Sequence, residues 1–460
     1  MRFFNTMTRR LEEFREIDKG EIGLYTCGPT VYDYPHIGNY RSYVFEDLVK
    51  RFFTFSGYRV RHVMNITDID DKTIRKANEL GLPLAEVTQK FIDAFHSDLG
   101  ILNILPADVY PRATAHIPEM LDLVSVLLEK GFAYEKDGSV YFSIERFRDY
   151  GRLANIDRDK LQLGAAVDSD EYEKESIQDF VLWKGKKPGE PSWPAPFGSG
   201  RPGWHIECSA MSMKYLGAHF DIHMGGVDNI FPHHENEIAQ SECANGQKFV
   251  NYWLHCQHLI VDNKKMSKSL GNFYTLADLQ QRGLDPMALR YLLISTHYRK
   301  LLNFTFANLE MAGQALNRIR NSIFSLKNIS KPGQGTVEIA RSISASQDEF
   351  TEHMSDDFNV SGALGVVFDF IHGINLKMNE LSQKDATAVL AFLKRLDKVL
   401  GVLEQDDAAP LAAAIEEKIA QRQVARKNKD FARADAIRAE LKQQGIVLLD
   451  TPNGVKWKKD

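Results

Sequence analysis

The chain has 460 residues, more than one hydrophobic core of usual size supports, so we expect two to four packed units. With 43% hydrophobic and 26% charged residues, the composition is that of a folded globular protein and excludes a disordered or fibrous chain. The formal net charge of -5 excludes a global positive field, so a nucleic-acid partner would have to be bound through local basic patches.

The N-terminal segment MRFFNTMTRR lacks the apolar core of a signal peptide, and no stretch is long and apolar enough to span a membrane. We therefore expect a cytoplasmic protein with no membrane partner. The four cysteines (Cys27, Cys208, Cys243 and Cys256) form no C-x-x-C pair. In a reducing compartment they are either buried thiols or metal ligands, and both readings stay open from the residues alone.

The first part of the chain predicts a strand–helix–strand crossover. The apolar run EIGLYTC predicts a strand, residues 40–55 carry apolar side chains at helical spacing, and residues 58–67 predict a second strand. A parallel crossover of this kind places ligand sites beyond the carboxyl ends of its strands. The segment DKTIRKANELG then predicts another helix, which ends at Gly81.

Residues 106–202 interrupt this α/β pattern with helices, short strands and a Pro/Gly/Trp-rich segment, which indicates an insertion. The pattern returns with the strands HFDIHMGG and LIV, so we expect a Rossmann-type α/β domain over residues 1–307. Residues 308–403 carry apolar side chains at three- and four-residue spacing, which predicts a helical bundle.

The last segment, residues 411–460, predicts two helices followed by a hairpin, which together form a small mixed α/β unit. It contains 11 Lys/Arg and 7 Asp/Glu, so it is net basic in a chain that is net acidic. This asymmetry indicates a nucleic-acid contact, although a solvated helix face would explain much of it.

Two loop motifs combine small, charged and hydrogen-bonding residues. YPHIGN, residues 34–39, brings the imidazole of His36 and the small Gly38 to a helix N-terminus, which suits a polyphosphate. KKMSKS, residues 264–269, places three lysines and two hydroxyls on one loop, where they can neutralise a triphosphate. Each motif alone is as well explained by an ordinary polar loop, but the two together are not.

In this order the motifs resemble the HIGH and KMSKS signatures of the class I aminoacyl-tRNA synthetases. The resemblance implies a split Rossmann fold and a catalytic role for the matching residues His36, Gly38, Asn39, Lys265, Met266, Ser267, Lys268 and Ser269. It also implies that ATP, with Mg²⁺, contacts His36, Asn39, Asp228 and Lys268. The chain departs from the pattern at Asn39, where the family has histidine; an amide can still donate a hydrogen bond, but a role that needs imidazole is lost.

Three further segments, YTCGPT, PGWHIECSAM and FPHHENEIAQSE, are similar to the cysteinyl-tRNA synthetases, and the similarity extends over essentially the whole chain. It implies that one Zn²⁺ is held by Cys27, Cys208, His233 and Glu237. All four are acceptable zinc donors, and His233 and Glu237 are four residues apart on one helix face. From the residues alone, the alternative is that both cysteines are buried thiols and that His233 caps the helix.

The same resemblance implies the remaining contacts. L-Cysteine is expected at Gly28, Thr67 and Trp204, with His205 and His234 as further imidazoles of the active site. The 411–460 unit is expected to bind the anticodon of tRNA(Cys) through Arg426, Asp435, Asp450 and Trp457. We expect a monomer.

The implied reaction is formation of cysteinyl-adenylate from ATP and cysteine, followed by transfer to tRNA(Cys). Rejecting serine by ~10⁴ to 10⁵ requires about 5.5 to 7 kcal/mol, which shape cannot supply for one exchanged atom. We therefore expect zinc to recognise the substrate sulfur as a thiolate. Two alternatives share these motifs: a ligase that joins cysteine to a small amine, and a noncatalytic RNA-binding derivative.

Overall fold

The computed structural model describes residues 1–156, 164–167, 178–403, 409–451 and 454–459. Its strands are β1 (Arg2–Asn5), β2 (Arg10–Glu13), β3 (Glu21–Thr26), β4 (Arg59–Met64), β5 (Ala133–Lys136), β6 (Ser139–Phe142), β7 (Gly164–Val167), β8 (Gln178–Gly185), β9 (Gly200–Pro202), β10 (Phe220–Gly226), β11 (Val250–Cys256), β12 (Leu259–Val261), β13 (Lys264–Lys265), β14 (Leu302–Phe304), β15 (Ile446–Thr451) and β16 (Gly454–Lys459). Its α-helices are α1 (Ile37–Phe55), α2 (Asp71–Leu80), α3 (Leu84–Ile101), α4 (Ile117–Glu129), α5 (Trp204–Leu216), α6 (Glu235–Asn245), α7 (Leu276–Gln281), α8 (Pro286–Ser295), α9 (Phe306–Lys327), α10 (Val337–Ser355), α11 (Val360–Leu376), α12 (Gln383–Leu400), α13 (Ala409–Lys427) and α14 (Phe431–Gln443).

A four-stranded parallel sheet forms the centre of the first unit, and the sequence predicts three of its strands, β3, β4 and β10. Its strands lie in the order β11, β10, β3, β4. The prediction that LIV continues this sheet is wrong: LIV is β12, which pairs with β13 and β14 in a separate sheet, and the fourth strand is β11. Helix α1 joins β3 to β4 and buries Val44, Leu48 and Phe52, the residues whose spacing predicted the helix. Because the carboxyl ends of parallel strands meet at one edge, the residues that end or follow β3, β10 and β11 come together there.

Helix α1 begins at Ile37, so the predicted start at residue 40 is wrong. His36 caps the helix: its Nδ1 accepts a hydrogen bond from the backbone nitrogen of Asn39 at 3.2 Å, and Asn39 Oδ1 accepts one from the backbone nitrogen of His36 at 3.0 Å. This capping box satisfies two backbone donors that a helix otherwise leaves unpaired. Gly38 and Asn39 therefore belong to the first turn of α1.

The region predicted as an insertion contains a second sheet, in which β5, β6, β8 and β7 pair in that order and β9 pairs with β8. Lys184 and Arg201 in this sheet have side chains that are 1% and 3% exposed, and both form ion pairs with Asp71 at the start of α2. Because a buried cation is stable only when it is paired, these contacts fix the second sheet against α2.

Helices α9 to α12 pack together through buried apolar side chains in the region predicted as a helical bundle. The fully buried Arg290 of α8 donates to the carboxylate of Asp47 in α1 and to the backbone oxygen of Leu400 in α12. Loss of one partner would leave a buried charge uncompensated, so this network holds α1, α8 and α12 together. The division of the chain at residues 307 and 308 stays a prediction.

Two end regions complete the fold. The N-terminal strands β1 and β2 form an antiparallel hairpin that the sequence does not indicate, and its Phe3 stacks on Phe358 at a centroid distance of 5.5 Å. Near the other end, α13 and α14 pack beside the antiparallel pair β15 and β16, the element order that the sequence predicts. Among the described residues, no helix is both long enough and apolar enough to cross a membrane.

Candidate metal centre and active site

The carboxyl ends of three parallel strands bring cysteine and histidine side chains to one edge of the central sheet. Cys27 directly follows β3, His223 lies in β10, and His255 is the penultimate residue of β11. Helix α5 carries Cys208 toward the same edge, one turn after its first residue. This is the edge at which ligands bind in open parallel sheets.

The structure brings together the four residues that the resemblance implies as zinc ligands, which we call the metal-ligand cluster: Cys27, Cys208, His233 and Glu237. One ligand atom of each lies within 4.8 Å of those of the other three. His233 and Glu237 are one helical turn apart, with 3.0 Å between Nε2 and Oε1. Cys208, His233 and Glu237 are each at most 1% exposed. The sequence alternative, in which His233 only caps a helix, does not account for this proximity.

The chemistry of this donor set fits Zn²⁺, because thiolate, imidazole and carboxylate are its usual ligands. The Glu237 carboxylate supports the fit. Its Oε2 accepts a hydrogen bond from His223 Nε2 at 3.0 Å, and its Oε1 lies 3.0 Å from His233 Nε2. The buried carboxylate is therefore held between two imidazoles, and a cation bound to Oε1 would replace the proton of His233 as its charge partner.

The charges of the metal-ligand cluster are strongly coupled. Burial acts to raise the pKa of Glu237, but His223 and His233 lower it to about 2. Burial acts to lower the pKa of His233, and Glu237 and Cys208 raise it to about 10. Burial also acts to raise the pKa of Cys208, but its hydrogen bond with Cys27 and the nearby His233 lower it to about 6. Without metal, the cluster therefore holds a proton on His233 next to anionic partners.

Burial raises the pKa of Cys27, and its hydrogen bond with Cys208 raises it further. Cys27 is therefore the protonated partner of the two thiols near neutral pH. A dication in this position would displace the protons of Cys27 and His233, since zinc ligands must be deprotonated.

A second set of donors overlaps the first: Cys27, His223, His234 and Glu237 also have ligand atoms within 4.8 Å of one another. His234 Nε2 lies 3.2 Å from Cys27 Sγ, and His234 Nδ1 lies 2.8 Å from His255 Nε2. Sequence reasoning missed His223 and His255. His223 lies in the middle of β10 and His255 near the carboxyl end of β11, and a single histidine in an apolar strand is the weak signal that could have identified them.

Two of the residues predicted to contact cysteine border the metal-ligand cluster. The Trp204 ring stacks on the His233 ring at a centroid distance of 4.3 Å, and Trp204 is only partly buried. Thr67 Oγ1 donates to Glu207 Oε2 at 2.9 Å and is buried. Trp204 therefore contacts the cluster directly, and Thr67 is connected to it through Glu207, the residue before Cys208.

Gly28, the third of these residues, lies where two backbone segments approach closely. Its nitrogen donates to Asn65 Oδ1 at 2.8 Å. A Cβ atom at this position would lie 1.8 Å from the backbone oxygen of Asn65. Only glycine fits, because this distance is far inside van der Waals contact.

The two signature motifs lie against each other at the same sheet edge. We call residues 263–273, which contain KMSKS, the nucleotide loop. A Cβ atom on Gly38 would lie 2.9 Å from Cε of Met266, and the backbone nitrogen of Ile37 donates to the oxygen of Tyr274 at 2.9 Å. Lys268 forms an ion pair with Asp33. These contacts place KMSKS beside the N-terminus of α1.

His36 is oriented by the turn that it caps. Its Nδ1 accepts a hydrogen bond from the backbone of Asn39, so its proton is on Nε2. Burial lowers the pKa of His36 to about 4, so the imidazole is neutral at neutral pH and can donate one hydrogen bond. The side-chain oxygen of Asn39 is used in the cap, which gives Asn39 a structural role in this motif.

The other predicted nucleotide contacts are exposed or half-buried. Asp228 is exposed and follows β10, and its charge acts on the pKa of His36. Lys265 is exposed at the end of β13, and Ser267 Oγ lies 3.1 Å from Ser269 Oγ. The structure thus places Lys265, Ser267 and Ser269 on the nucleotide loop and Asp228 near His36.

The predicted anticodon contacts all lie in the C-terminal unit. Arg426, near the end of α13, and Asp435, in α14, are exposed. In the hairpin, the backbone of Asp450 pairs with Val455 and that of Trp457 with Leu448. The side chains of Asp450 and Trp457 lie outside the described part of the structure.

Comparison with known proteins connects this geometry to a family. Residues 13–314 match the model described as the tRNA synthetases class I (C) catalytic domain, residues 349–404 the DALR domain, and residues 408–457 the Cysteinyl-tRNA ligase anticodon binding domain. Cysteine–tRNA ligase from Brachyspira hyodysenteriae is 47% identical over 99% of both chains. This chain belongs to the cysteine–tRNA ligase family. The family member from Protochlamydia amoebophila is also 47% identical, over 100% of this chain and 98% of its own.

Solved structures of other synthetases share the fold of this cysteine–tRNA ligase family member. The Mycobacterium tuberculosis methionyl-tRNA synthetase in complex with methionyl-adenylate has a TM-score of 0.59 at 16% identity, over 83% of this chain and 90% of that chain. The LeuRS of Agrobacterium radiobacter K84, in a ternary complex with tRNA and LeuAMS, has a TM-score of 0.62 at 12% identity, over 84% of each chain. At these identities the likeness shows the fold alone, and it confirms the predicted class I Rossmann-type architecture.

Proposed function

We propose that this enzyme activates L-cysteine with Mg²⁺-ATP to form cysteinyl-adenylate and transfers the cysteinyl group to tRNA(Cys). The observation that carries the proposal is the buried metal-ligand cluster, which lies at the same sheet edge as the two signature motifs. Family membership supports the reaction class. We further propose that the enzyme acts as a cytoplasmic monomer.

We assign amino-acid recognition to the metal-ligand cluster and to the neighbouring residues Trp204, Thr67 and Gly28. Cys27, Cys208, His233 and Glu237 would hold one Zn²⁺, which when bound supplies a soft Lewis acid that favours a thiolate over a hydroxyl. Trp204, stacked on His233, would close the pocket around the short side chain. Thr67 and the backbone at Gly28 would then orient the amino end of the substrate.

Adenylate formation is assigned to the motif residues. The cysteine carboxylate attacks the α-phosphorus of ATP in line, the bond to the bridging oxygen breaks, and pyrophosphate leaves with the electron pair. Neutral His36 donates from Nε2, and the positive end of the α1 helix dipole favours negative charge there. Lys268 would exchange Asp33 for a phosphate oxygen, and Asp228 would hold the ribose.

Transfer to tRNA is assigned to the whole chain. The match of residues 408–457 to an anticodon binding domain favours tRNA over a small amine as the acceptor. In this unit Arg426, Asp435, Asp450 and Trp457 would contact the anticodon, by hydrogen bonds to base edges and by stacking. The rival small-amine ligase has no use for such a unit.

Exchange of pyrophosphate into ATP, driven by cysteine, tests the first half of the proposal. We expect exchange with cysteine and at least ~10⁴-fold less with serine. Charging of tRNA(Cys) by the same preparation tests the second half, and removal of residues 411–460 should impair charging more than exchange. Equal exchange with serine, or an active enzyme without bound zinc by elemental analysis, would contradict the proposal. Exchange without charging of any tRNA would favour the small-amine ligase.

A further inference from the structure

Two tyrosines stand out on the surface beside the signature motifs. Tyr32 and Tyr34 are 37% and 43% exposed. Among the side chains that the structure describes, the one other exposed Phe, Tyr or Trp is Phe431, in the C-terminal unit. Exposed aromatic rings can stack on the bases of a ligand, and we call these two residues, two positions apart in the chain, the platform.

The platform lies at the mouth of the site. Before it, the backbone nitrogen of Val31 donates to the oxygen of Thr67, beside the proposed cysteine pocket. Between the two tyrosines, Asp33 pairs with Lys268 of the nucleotide loop. After them, His36 caps the N-terminus of α1. The two rings therefore lie between backbone that contacts Thr67 and the N-terminus of α1, next to the proposed site of adenylate formation.

Each ring is accompanied by a lysine from a neighbouring helix. Lys72 Nζ of α2 lies 5.9 Å from the centroid of Tyr32, and Lys90 Nζ of α3 lies 5.5 Å from the centroid of Tyr34. Both lysines are exposed. Alternating aromatic faces and ammonium groups are the pattern by which proteins bind single-stranded nucleic acid, since bases stack on the rings and phosphates pair with the cations.

We propose that Tyr32 and Tyr34, with Lys72 and Lys90, bind the single-stranded 3′ end of tRNA and guide its terminal ribose to the adenylate. The inference rests on the proposed function and names where its second substrate binds. Tyr34 also packs edge-on against Phe91, with 5.2 Å between centroids, which fixes its ring as a rigid surface. Because this ring is already ordered, a base that stacks on it gains stacking free energy without the cost of ordering the side chain.

Matched substitutions separate stacking from packing. Tyr32→Leu and Tyr34→Leu keep the apolar volume and remove the π face, whereas Tyr32→Phe and Tyr34→Phe keep that face. We expect each leucine variant to lower kcat/KM for tRNA by roughly 5- to 100-fold, the range for loss of one stacked base, and the phenylalanine variants to stay close to the parent. The loss in charging should exceed any loss in cysteine-dependent exchange by at least about 5-fold. Leu301→Ala, at an exposed apolar residue outside the platform, is the control.

Truncated tRNA identifies the part of the substrate that is bound. Removal of its single-stranded 3′ nucleotides should weaken binding to the parent enzyme, and binding of this truncated tRNA should be the same for the parent and the leucine variants. Lys72→Ala and Lys90→Ala should each lower the slope of log affinity against log salt by about 0.7 for one single-strand phosphate contact.

Three outcomes would overturn the inference. Leucine variants that charge tRNA as well as the parent would show that the rings bind no part of it. An equal loss of exchange and charging would assign the rings to the ATP base or to the cysteine pocket. Leucine variants that still bind truncated tRNA more weakly would place the contact elsewhere on the tRNA. Failure of the proposed function is distinct from all three, because it would appear in the parent enzyme itself, as absent charging of tRNA(Cys) or as exchange that does not distinguish cysteine from serine.

Discussion

The metal-ligand cluster and the nucleotide loop lie at one sheet edge and differ in almost every physical respect. The side chains of His233 and Glu237 are 2% and 0% exposed, whereas that of Lys268 is 65% exposed. In the cluster, burial makes each charge depend on its neighbours. On the loop, solvent screens the ion pair of Lys268 with Asp33, so it contributes little stability and can be exchanged for a ligand.

This difference matches the two kinds of ligand proposed for the site, a small amino acid and a highly charged triphosphate. A small amino acid offers few contacts, so its recognition needs donors that are fixed before it binds. A triphosphate carries its own charges and can order an exposed loop around itself. If this comparison holds, substitutions in the cluster should affect metal and amino acid together, and substitutions in the loop should affect only the nucleotide step.

The largest effect is expected for Cys208→Ser in the metal-ligand cluster. Because serine does not supply a thiolate, the enzyme should lose bound zinc, and exchange with cysteine should fall by roughly 10³-fold or more. Elemental analysis and exchange kinetics measure the two effects. Cys243→Ser, at a buried cysteine outside the cluster, is the control and should keep the metal. If Cys208→Ser kept both zinc and activity, Cys208 would not be a zinc ligand, and the cluster would not differ from the loop in the way proposed.

The loop counterpart is Lys268→Ala. We expect kcat for exchange to fall by about 10²-fold, the usual result of removing one donor that stabilises developing charge, while zinc content stays at one per chain. Lys264→Ala removes an exposed lysine from the same loop and should have a much smaller effect. A similar loss from both substitutions would mean that the loop acts only through its total charge.

The pH dependence of zinc binding tests the electrostatic side of the cluster. The pKa of His233 is raised to about 10 and that of Cys27 is raised too, so both are protonated in the metal-free enzyme at pH 7. Zinc must displace both protons, so its affinity should increase as pH rises from 6 to 8, about tenfold per pH unit for each proton released. Titration calorimetry in two buffers counts the protons. Affinity that does not change with pH would show that the four residues are not the ligands.

The smallest effect is expected at the cap of α1. Asn39→Ala removes the acceptor for the backbone of His36 and should lower the free energy of unfolding by about 1 kcal/mol, as for other helix caps. Asn39→Asp keeps the acceptor and should retain most of this stability in chemical denaturation. If Asn39→Asp is stable but loses exchange as severely as Lys268→Ala, the amide contacts phosphate in addition to capping the helix.

The regular elements could be predicted because their signals are local. The apolar spacing of α1 and the strand patterns of β3 and β10 specify the parallel sheet, and the predicted α/β class is confirmed. The sequence predicts a helix N-terminus near YPHIGN but not the exact start of α1 at Ile37, because that start depends on His36 as the cap and histidine is seldom a capping residue. The N-terminal hairpin likewise depends on tertiary contacts of Phe3.

The candidate site was predictable only in part. Cys27 and Cys208 are far apart in the sequence, so no local pattern pairs them, and only the resemblance to a family named them together. Their roles stay predictions until the metal is measured. His223 and His255 escaped because a single histidine in an apolar strand has no spacing partner, and its meaning appears only when the strand ends converge.

The close approach at Gly28 has a consequence for redesign of amino-acid preference. Any Cβ there would meet the carbonyl of Asn65, so position 28, which is predicted to contact cysteine, accepts no residue other than glycine. A library that seeks enzymes for bulkier thiol analogues should therefore leave this position constant and diversify Trp204, whose ring is partly accessible. Variants selected for bulkier substrates should then carry smaller side chains at position 204, while the metal-ligand cluster that would bind the sulfur stays unchanged.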